Sequence, residues 1–366
     1  MMPYELPHPR TELLATPPAV HGAFDYAELT QQMLTPAAVI DFSENSNPFG
    51  PSPAVRAALT NADPAHYPDR ECLALRRLLA DQLGARAEEI VMGNGAAELI
   101  WLIAFAFLRP GDDVLVIGPT FGEYARCAQL MGARVMTWQA TATTQFAVDA
   151  AAVDEQLKQV QPKVVFLCNP NNPTGTVIPV AMIGAWAAAQ PQILFVVDEA
   201  YLAFVPGLAS VYSLALPNVL MVRSLTKEYA LAGLRLGYAL GPPSLIAGLT
   251  QARIPWSVNA LAQAAGVAAL HDQAHLQQSL ARLDNAKHDL VAGLIDLELS
   301  PLPSATHYLL VNVGGGARFR QRLLKHGLLV RDCASFGLPA YVRIATRKPA
   351  ENQKLLACLQ QDGPAI

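Results

Sequence analysis

Apolar residues follow two alternating patterns along this chain. Short runs that are apolar on both faces predict buried strands, and they lie at 113–117, 164–168, 194–197 and 219–222. Longer stretches with helical spacing lie around and between these runs, at 54–59, 73–83, 97–108, 123–131 and 180–189. Because buried strands alternate with helices, the pattern predicts a large, doubly wound and mostly parallel α/β sheet.

The pattern changes after residue 238. A long helical region, 244–297, precedes short strands near 308–313, 328–331 and 342–345 and a final helix, an order that predicts a smaller α+β domain. A chain of 366 residues is also too long for one ordinary core. We therefore expect three parts. They are an N-terminal arm (1–45) packing with the small domain, a large domain (46–245) and a small C-terminal domain (246–366).

Composition and charge exclude several classes of protein. The chain is 52% hydrophobic and 15% charged, which is typical of a globular protein, and its net charge of −4 predicts no nucleic-acid binding. The longest apolar stretch, 96–108, contains Glu98 and is shorter than the roughly 20 residues that span a bilayer. The N-terminus lacks the apolar segment of a signal peptide. The five cysteines are scattered without metal-ligand spacing, so we expect a reduced cytoplasmic protein that binds neither metal nor membrane.

Four ordered motifs carry the candidate chemistry. Lys227 ends the segment SLTK, and Arg235 follows eight positions later. Upstream, Asp198 ends an apolar run, Tyr201 follows it by three residues, and Asn172 lies in NPNNPTG. A lone lysine in such a turn is usually a solvated surface residue. The ordered set, however, resembles the fold-type I enzymes that depend on pyridoxal 5'-phosphate (PLP), the aminotransferase class I/II superfamily, in which this lysine bonds covalently to the cofactor.

The resemblance implies a role for each motif residue. Asp198 keeps the pyridine nitrogen of PLP protonated, and Asn172 and Tyr201 contact the phenolic oxygen of the cofactor. Lys227, Asp198 and Tyr201 are thus the expected catalytic residues. The phosphate ligands of the family match Ser224, Thr226 and Arg235, which we therefore expect to bind the cofactor as well.

A glycine-rich turn supplies the candidate phosphate cradle. Gly93-Asn94-Gly95 follows a predicted strand at 90–92 and opens a helix, whose free N–H groups attract a phosphate. Alone, such a segment is more often an ordinary turn. Many relatives carry a hydroxyl or acidic side chain just after it, whereas this chain has Ala96 and Ala97. We therefore expect the backbone of Gly93, Asn94, Gly95 and Ala96 to bind the phosphate.

Three aromatic residues match further positions of the family. Phe121 lies where an aromatic ring stacks on the pyridine, and Tyr124 is the alternative, unless it is a core aromatic. Tyr67 matches a tyrosine that reaches the phosphate of the neighbouring subunit, unless its role is structural. The resemblance therefore implies a homodimer with shared active sites.

Two arginines predict an anionic, amino-acid-like substrate. Arg343, in YVRIA, matches the arginine that binds the substrate carboxylate, a task that suits its planar fork. Arg331, in LVRDC, is placed to meet a second anionic group or is a surface charge. We therefore expect a small phosphorylated amino acid as substrate.

Segments outside the cofactor motifs most resemble L-threonine-O-3-phosphate decarboxylases. These segments are His21-Gly22, the run 41–50 that contains Asn45, and the runs 223–227, 254–261 and 329–334. They imply His21 and Asn45 as further substrate-binding residues. One departure is His307, where the decarboxylases tend to carry asparagine.

The resemblance implies decarboxylation of threonine phosphate to aminopropanol phosphate in cobalamin biosynthesis, with the enzyme a lyase. The alternative is an aminotransferase of the histidinol-phosphate type, which shares every cofactor motif. A non-catalytic PLP-dependent regulator is disfavoured, because such regulators usually carry a fused DNA-binding helix-turn-helix and a basic surface. The enzymatic alternatives differ in which bond of the substrate Cα stands perpendicular to the cofactor ring, and the sequence does not show that orientation.

Overall fold

The computed structural model of the chain describes residues 7–363, with Asp362 described by its backbone alone. Its strands are β1 (Ile40–Asp41), β2 (Ile90–Gly93), β3 (Asp113–Gly118), β4 (Arg134–Gln139), β5 (Val164–Cys168), β6 (Leu194–Asp198), β7 (Val219–Ser224), β8 (Gly237–Leu240), β9 (Tyr308–Asn312), β10 (Leu328–Leu329), β11 (Arg331–Asp332) and β12 (Tyr341–Ala345).

The helices cover both faces of the large sheet and build most of the small domain. They are α1 (Thr11–Ala15), α2 (Tyr26–Gln31), α3 (Pro53–Asn61), α4 (Leu73–Leu83), α5 (Gly95–Phe107), α6 (Glu123–Leu130), α7 (Ala150–Val160), α8 (Val180–Ala189), α9 (Pro243–Ala252), α10 (Ala260–His271), α11 (Gln273–Asp296), α12 (Gly316–Leu324) and α13 (Pro349–Asp362). Short 3₁₀ turns occur at Pro36–Ala38, Ala87–Glu89, Ala142–Thr144, Leu202–Phe204, Val211–Leu214, Ala232–Leu234 and Ala334–Phe336.

The large sheet has the strand order β2-β8-β7-β6-β5-β3-β4. Its neighbouring strands run parallel except at β8, which is antiparallel to both β2 and β7. Along β5, Val165 packs into one core and Phe166 into the other. The strand sequences are apolar throughout because helices bury both faces of a parallel sheet. The predicted doubly wound α/β fold is confirmed.

A three-stranded antiparallel sheet, in the order β11-β12-β9, forms the centre of the small domain. Helices α11 and α13 pack together beside it, and Phe319 on α12 contributes to the same core. The arm reaches this region, because Ile40 of β1 pairs in parallel with Leu328 of β10. The boundaries near residues 45 and 245 stay predictions.

Two local predictions differ from the structure. The predicted strand 328–331 is divided at Val330, because β10 pairs with β1 whereas β11 pairs with β12. The long helical region is broken into α9, α10 and α11, and Asn259 caps α10 by accepting a hydrogen bond from Ala262 N at 2.8 Å. Distant partner strands decide the first break, whereas a local cap marks the start of α10. Among residues 7–363, no helix combines the length and apolarity needed to cross a membrane.

Candidate active site

A cavity of about 400 Å³ opens where strands β5, β6 and β7 end, at the carboxyl edge where open α/β sheets gather their ligands. Most of the residues predicted for the site line it, namely His21, Asn45, Ala96, Phe121, Tyr124, Asn172, Asp198, Tyr201, Ser224, Thr226, Lys227, Arg235 and Arg343. The predicted residues outside its lining are Gly93, Asn94, Gly95, Tyr67 and Arg331. The fold therefore brings together motifs that are spread over most of the chain.

Lys227 lies in the tight turn that follows β7. The turn is fixed by a 2.6 Å hydrogen bond between the hydroxyls of Ser224 and Thr226, and Thr226 N donates to Ser224 Oγ at 3.2 Å. The pKa of the Lys227 amine is lowered to about 8, mainly by burial and next by Arg343, while Glu44 opposes both. A far larger fraction of this amine than of an ordinary lysine is therefore uncharged near neutral pH, as a nucleophile or proton acceptor requires.

Asp198 ends β6 and is buried at the base of the cavity. Tyr124 donates its hydroxyl to Asp198 Oδ2 at 2.6 Å, and Ala200 N donates to Oδ1 at 2.9 Å. Burial raises the pKa of this carboxyl, while the bond from Tyr124 lowers it. A buried carboxylate of this kind is stabilised by a positively charged partner, such as a protonated ring nitrogen.

Arg343, on β12, joins the small domain to the large one at the cavity wall. It donates through Nη1 to Asn172 Oδ1 and through Nη2 to the carbonyl of Ser43. Its Nε has no hydrogen-bond partner among the described residues. The guanidinium is thus held in place by neutral acceptors, and its charge is left for an anionic ligand.

Tyr201 lies on the same side of the cavity and is buried. Asn45 donates through Nδ2 to the Tyr201 hydroxyl oxygen at 3.2 Å. Burial raises the pKa of the Tyr201 phenol to about 12, so the hydroxyl keeps its proton at neutral pH. Because that oxygen accepts from Asn45, its proton is left to donate towards a ligand.

The end of the cavity that was predicted to bind the phosphate is built from Arg235 and the start of α5. Gly95 has φ +81°, and a Cβ there would lie 2.7 Å from Arg235 Nη2, so the close approach of the guanidinium requires glycine. Arg235 Nη1 donates to Ala232 O at 3.1 Å. Asn94 N donates to Glu98 Oε2 at 2.5 Å, so Glu98 occupies one of the free amides of the turn. Ala96 is the residue of this turn that faces the cavity.

The two aromatic candidates have different surroundings. Tyr124 is 1% exposed, and its ring stacks on Phe166 with centroids 5.5 Å apart and an interplanar angle of 2°. Phe121 is half-buried and meets Tyr124 edge to face at 5.6 Å. The ring of Phe121 is therefore more accessible for stacking, because the ring of Tyr124 already stacks on Phe166 and its hydroxyl already bonds to Asp198.

His21 belongs to the N-terminal arm and lies at the cavity mouth. Its Nε2 is 2.9 Å from Glu123 Oε1, and its ring centroid is 5.5 Å from that of Phe121. Trp101 Nε1 donates to the other oxygen of Glu123 at 2.8 Å. These contacts hold the arm across the cavity.

The predicted sites at Arg331 and Tyr67 lie elsewhere. Arg331 is 7% exposed, which excludes a surface charge, and it donates to Val20 O at 2.8 Å and to Ser335 Oγ at 2.7 Å. Tyr67 is 81% exposed, and its ring lies 4.7 Å from that of Trp256. Neither residue contacts the cavity within this chain.

Sequence reasoning did not single out Glu44 and Cys168, which also line the cavity. Burial raises the pKa of the Glu44 carboxyl, with Asp41 adding to the effect, and Arg347 Nη1 lies 3.7 Å from its Oε1. Both residues adjoin predicted ones, since Glu44 precedes Asn45 and Cys168 ends the strand before NPNNPTG. Their position beside a motif was the signal from which the sequence could have identified them.

Glu228, next to Lys227 in sequence, provides a test of stability against pH. Its carboxyl is 8% exposed, Oε2 has no partner among the described residues, and burial raises its pKa to about 8. Since this value exceeds that of the unfolded chain, the folded state loses stability as pH rises from about 4.5 to 8. Glu228→Gln should remove this loss. The melting temperature of the variant should therefore rise relative to that of the wild type as pH increases over that range.

The expected gain is on the order of a few kcal/mol in the free energy of unfolding at pH 8. Thermal melts of both proteins between pH 5 and 9 measure it, and any constant effect of the amide cancels in the pH dependence. Glu88→Gln, at a side chain that is 58% exposed, is the matched control and should show no such trend. A difference between wild type and Glu228→Gln that stays constant with pH would refute this account.

The cavity fits PLP by the chemistry of its walls. An amine, a buried carboxylate and an arginine beside a helix start lie around one space, the three functions that the cofactor's aldehyde, ring nitrogen and phosphate require. Two buried polar atoms that find no hydrogen-bond partner among residues 7–363, Asn45 Oδ1 and Arg343 Nε, also lie on residues of this wall. Buried polar groups normally find hydrogen bonds, so a polar ligand is expected beside them.

Comparison with known proteins identifies the family. The model described as aminotransferase class I and II matches residues 37–359. The histidinol-phosphate aminotransferase of Moorella thermoacetica is 36% identical and covers 97% of this chain and 93% of its own length. The structure of histidinol-phosphate aminotransferase from Sinorhizobium meliloti in complex with PLP is 29% identical, with a TM-score of 0.84 over 93% of this chain and 95% of that one. The structure of L-threonine-O-3-phosphate decarboxylase from Porphyromonas gingivalis is 26% identical, with a TM-score of 0.77 over 88% of this chain and 98% of that one.

The predicted decarboxylase, and with it the lyase and the role in cobalamin biosynthesis, is wrong. Curated relatives that are 34–38% identical over most of the chain are histidinol-phosphate aminotransferases. The segment 254–261, one of those that carried that prediction, does not line the cavity. Within this chain Trp256 packs on Tyr67 and Asn259 caps α10.

The prediction of a fold-type I PLP enzyme, with PLP as its cofactor, is confirmed by the family match and by the likeness to the PLP complex. The match spans nearly the whole chain, both domains included. The chain belongs to the aminotransferase class I and II family.

Proposed function

We propose that this protein is a PLP-dependent aminotransferase that transfers the amino group of histidinol phosphate to a 2-oxo acid. The observation that carries the proposal is the run of histidinol-phosphate aminotransferases, 34–38% identical over most of the chain, among its relatives. The cavity supports it, because Lys227, whose amine pKa is lowered to about 8, lies in one space with Asp198 and Arg343. In the reaction the donor carbon that bore the amine becomes a carbonyl, and the 2-oxo acid becomes an amino acid.

Bound PLP supplies the electron sink for this chemistry. In our proposal Asp198 accepts the hydrogen bond of the protonated ring nitrogen, and Phe121 covers one face of the ring. Asn172 and Tyr201 hold the phenolic oxygen, since both face the cavity beside Arg343. The hydroxyls of Ser224 and Thr226, the guanidinium of Arg235 and the start of α5 at Ala96 hold the phosphate.

Lys227 moves the proton at the substrate Cα. An amine with a pKa of about 8 can take up and return a proton near neutral pH. Arg343 binds the carboxylate of the 2-oxo acid through its fork, and in the other half of the reaction it faces the anionic end of the phosphorylated donor. His21 and Asn45 lie at the mouth and wall where the rest of the substrate would contact the protein.

Incubation of the PLP-bound protein with histidinol phosphate and a 2-oxo acid tests the proposed function. We expect a new amino acid to accumulate in amounts equal to the carbonyl product, as measured by chromatography. Omission of the 2-oxo acid should limit the reaction to one amino group per site. Release of CO₂ from O-phosphothreonine without any amino-group transfer would contradict the proposal.

We further propose a homodimer in which Tyr67 completes the phosphate site of the other subunit. Tyr67 is 81% exposed, Trp256 against its ring is 46% exposed, and Ile254, two positions before Trp256 in sequence, is 71% exposed. Exposed aromatic surface of this kind is typical of an interface. Tyr67→Phe should weaken PLP binding about fivefold to tenfold, the effect of one hydrogen bond, and leave the dimer intact.

Titration of the apoprotein with PLP and sedimentation of both proteins measure these two effects. Tyr26→Phe, at an exposed tyrosine of the N-terminal arm, is the matched control and should bind PLP as the wild type does. Equal PLP affinity for Tyr67→Phe and the wild type would exclude the shared site, and a monomeric wild type would exclude the dimer.

A further inference from the structure

One buried histidine beside the cavity has no role in the function proposed above. His307 immediately precedes β9 and is 3% exposed. Its ring lies on Phe204 with centroids 3.9 Å apart and an angle of 30°, and it meets Tyr308 edge to face at 5.5 Å. It does not line the cavity. The ring is therefore fixed by packing and cannot swing towards a substrate.

The hydrogen bond of His307 defines its tautomer. Its Nε2 lies 3.0 Å from the backbone carbonyl oxygen of Asn45, an atom that can only accept. Nε2 must therefore carry the proton, and Nδ1 has no partner among the described residues. Burial lowers the pKa of the imidazole to about 3, so the ring stays neutral throughout the working pH range.

The acceptor of this bond belongs to the segment 43–45, which lines the cavity. At one end of the segment the Ser43 carbonyl accepts from Arg343. At the other end Asn45 donates through Nδ2 to the Tyr201 hydroxyl at 3.2 Å. The position of the Asn45 backbone thus determines whether its side chain reaches Tyr201. His307 holds that backbone from behind.

We propose that His307 is a positioning residue that acts through Asn45 on Tyr201. With the Nε2–H donor in place, the Asn45 carboxamide occupies a lone pair of the Tyr201 oxygen, and the phenolic proton is left for the cofactor's phenolic oxygen. Without the donor the Asn45 carbonyl is no longer held in place, so the Asn45 side chain loses its orientation towards the Tyr201 hydroxyl. The inference rests on the proposed function only in that Tyr201 contacts bound PLP.

Three variants of His307 separate the loss of the hydrogen-bond donor from a change in packing. Glutamine can place an amide nitrogen where Nε2 lies, whereas the shorter asparagine places its nitrogen near the Nδ1 position. His307→Gln should therefore behave as the wild type, and both His307→Asn and His307→Leu should not. The main readout is the midpoint of the pH-dependent absorbance change of bound PLP. We expect it to move by about half a pH unit or more in His307→Asn and His307→Leu, as for one hydrogen bond lost.

Activity provides a second readout. In the two variants that lack the donor, kcat with histidinol phosphate should fall about fivefold to tenfold, with little change in KM for the 2-oxo acid, because Arg343 keeps its own contacts. The double variant His307→Leu/Asn45→Ala should show no further shift of the midpoint beyond Asn45→Ala alone, since both changes break one chain of contacts.

Three outcomes would overturn the inference. They are an unchanged midpoint in His307→Leu and His307→Asn, a failure of His307→Gln to restore it, and additive shifts in the double variant. If His307→Leu does not fold, the comparison of glutamine with asparagine still decides. Absence of histidinol phosphate transamination by the wild type would refute the proposed function alone, because the absorbance midpoint requires only bound PLP.

Discussion

Lys227→Ala should lower kcat for amino-group transfer on the order of 10⁴-fold or more. The amine performs two tasks in the proposed reaction, covalent attachment of PLP and movement of the proton at the substrate Cα. Its pKa of about 8, set mainly by burial, prepares it for both. No other lysine lines the cavity, within the described residues, to replace it.

The matched control is Lys287→Ala. Lys287 is also partly buried and donates to Ser304 O at 2.6 Å, but it lies outside the cavity. After borohydride reduction, mass spectrometry should find PLP attached to the wild type and to Lys287→Ala, and not to Lys227→Ala. Attached cofactor in Lys227→Ala, or kcat within tenfold of the wild type, would show that another group does this chemistry.

The cofactor end of the site was predictable because it is encoded in short segments. Asp198 ends an apolar strand, and Thr226 and Lys227 directly follow the strand that ends at Ser224, so their side chains must meet at one sheet edge. The strand order of the sheet then fixes which of these segments are neighbours. Local sequence thus contained both the residues and their approximate place.

The substrate end was less predictable because it depends on contacts between distant segments. Arg343 was expected at a carboxylate, but its bonds to Asn172 and Ser43 join residues 171 and 300 positions apart. Arg331 was expected to meet a second anion or to be a surface charge; its burial and its bond to Val20 O exclude the surface charge, and the second anion stays a prediction. Nothing in the run LVRDC distinguishes these two uses of an arginine.

The reaction itself was mispredicted for a related physical reason. Which bond breaks depends on how the substrate lies above the ring, and that orientation is set by a few angles between Arg343 and the wall around it. Of the segments that carried the resemblance, 254–261 lies away from this wall, whereas 41–50 and 223–227 contribute residues to it. Matching residues in these segments therefore did not reveal how the substrate lies above the ring.

Asp198→Asn should lower kcat on the order of 10²–10³-fold while the protein still folds and binds PLP. The substitution is nearly isosteric, and an asparagine oxygen can still accept from Ala200 N, which lies 2.9 Å from the present carboxylate. What is lost is the negative charge that favours a proton on the ring nitrogen of PLP. Without that proton the ring accepts electrons poorly, so the step at the substrate Cα slows.

Two further variants separate this charge effect from simple disturbance of the fold. Asp113→Asn removes a carboxylate that pairs with Arg134 at 2.7 Å on the surface, and it should leave kcat unchanged. Tyr124→Phe keeps the charge of Asp198 and removes only the 2.6 Å hydrogen bond, so we expect a loss of about fivefold to tenfold. Rapid-mixing measurement of the first half-reaction compares the variants at the step concerned. If Asp198→Asn reacted within tenfold of the wild type, or no more slowly than Tyr124→Phe, the buried charge would not be what activates the cofactor.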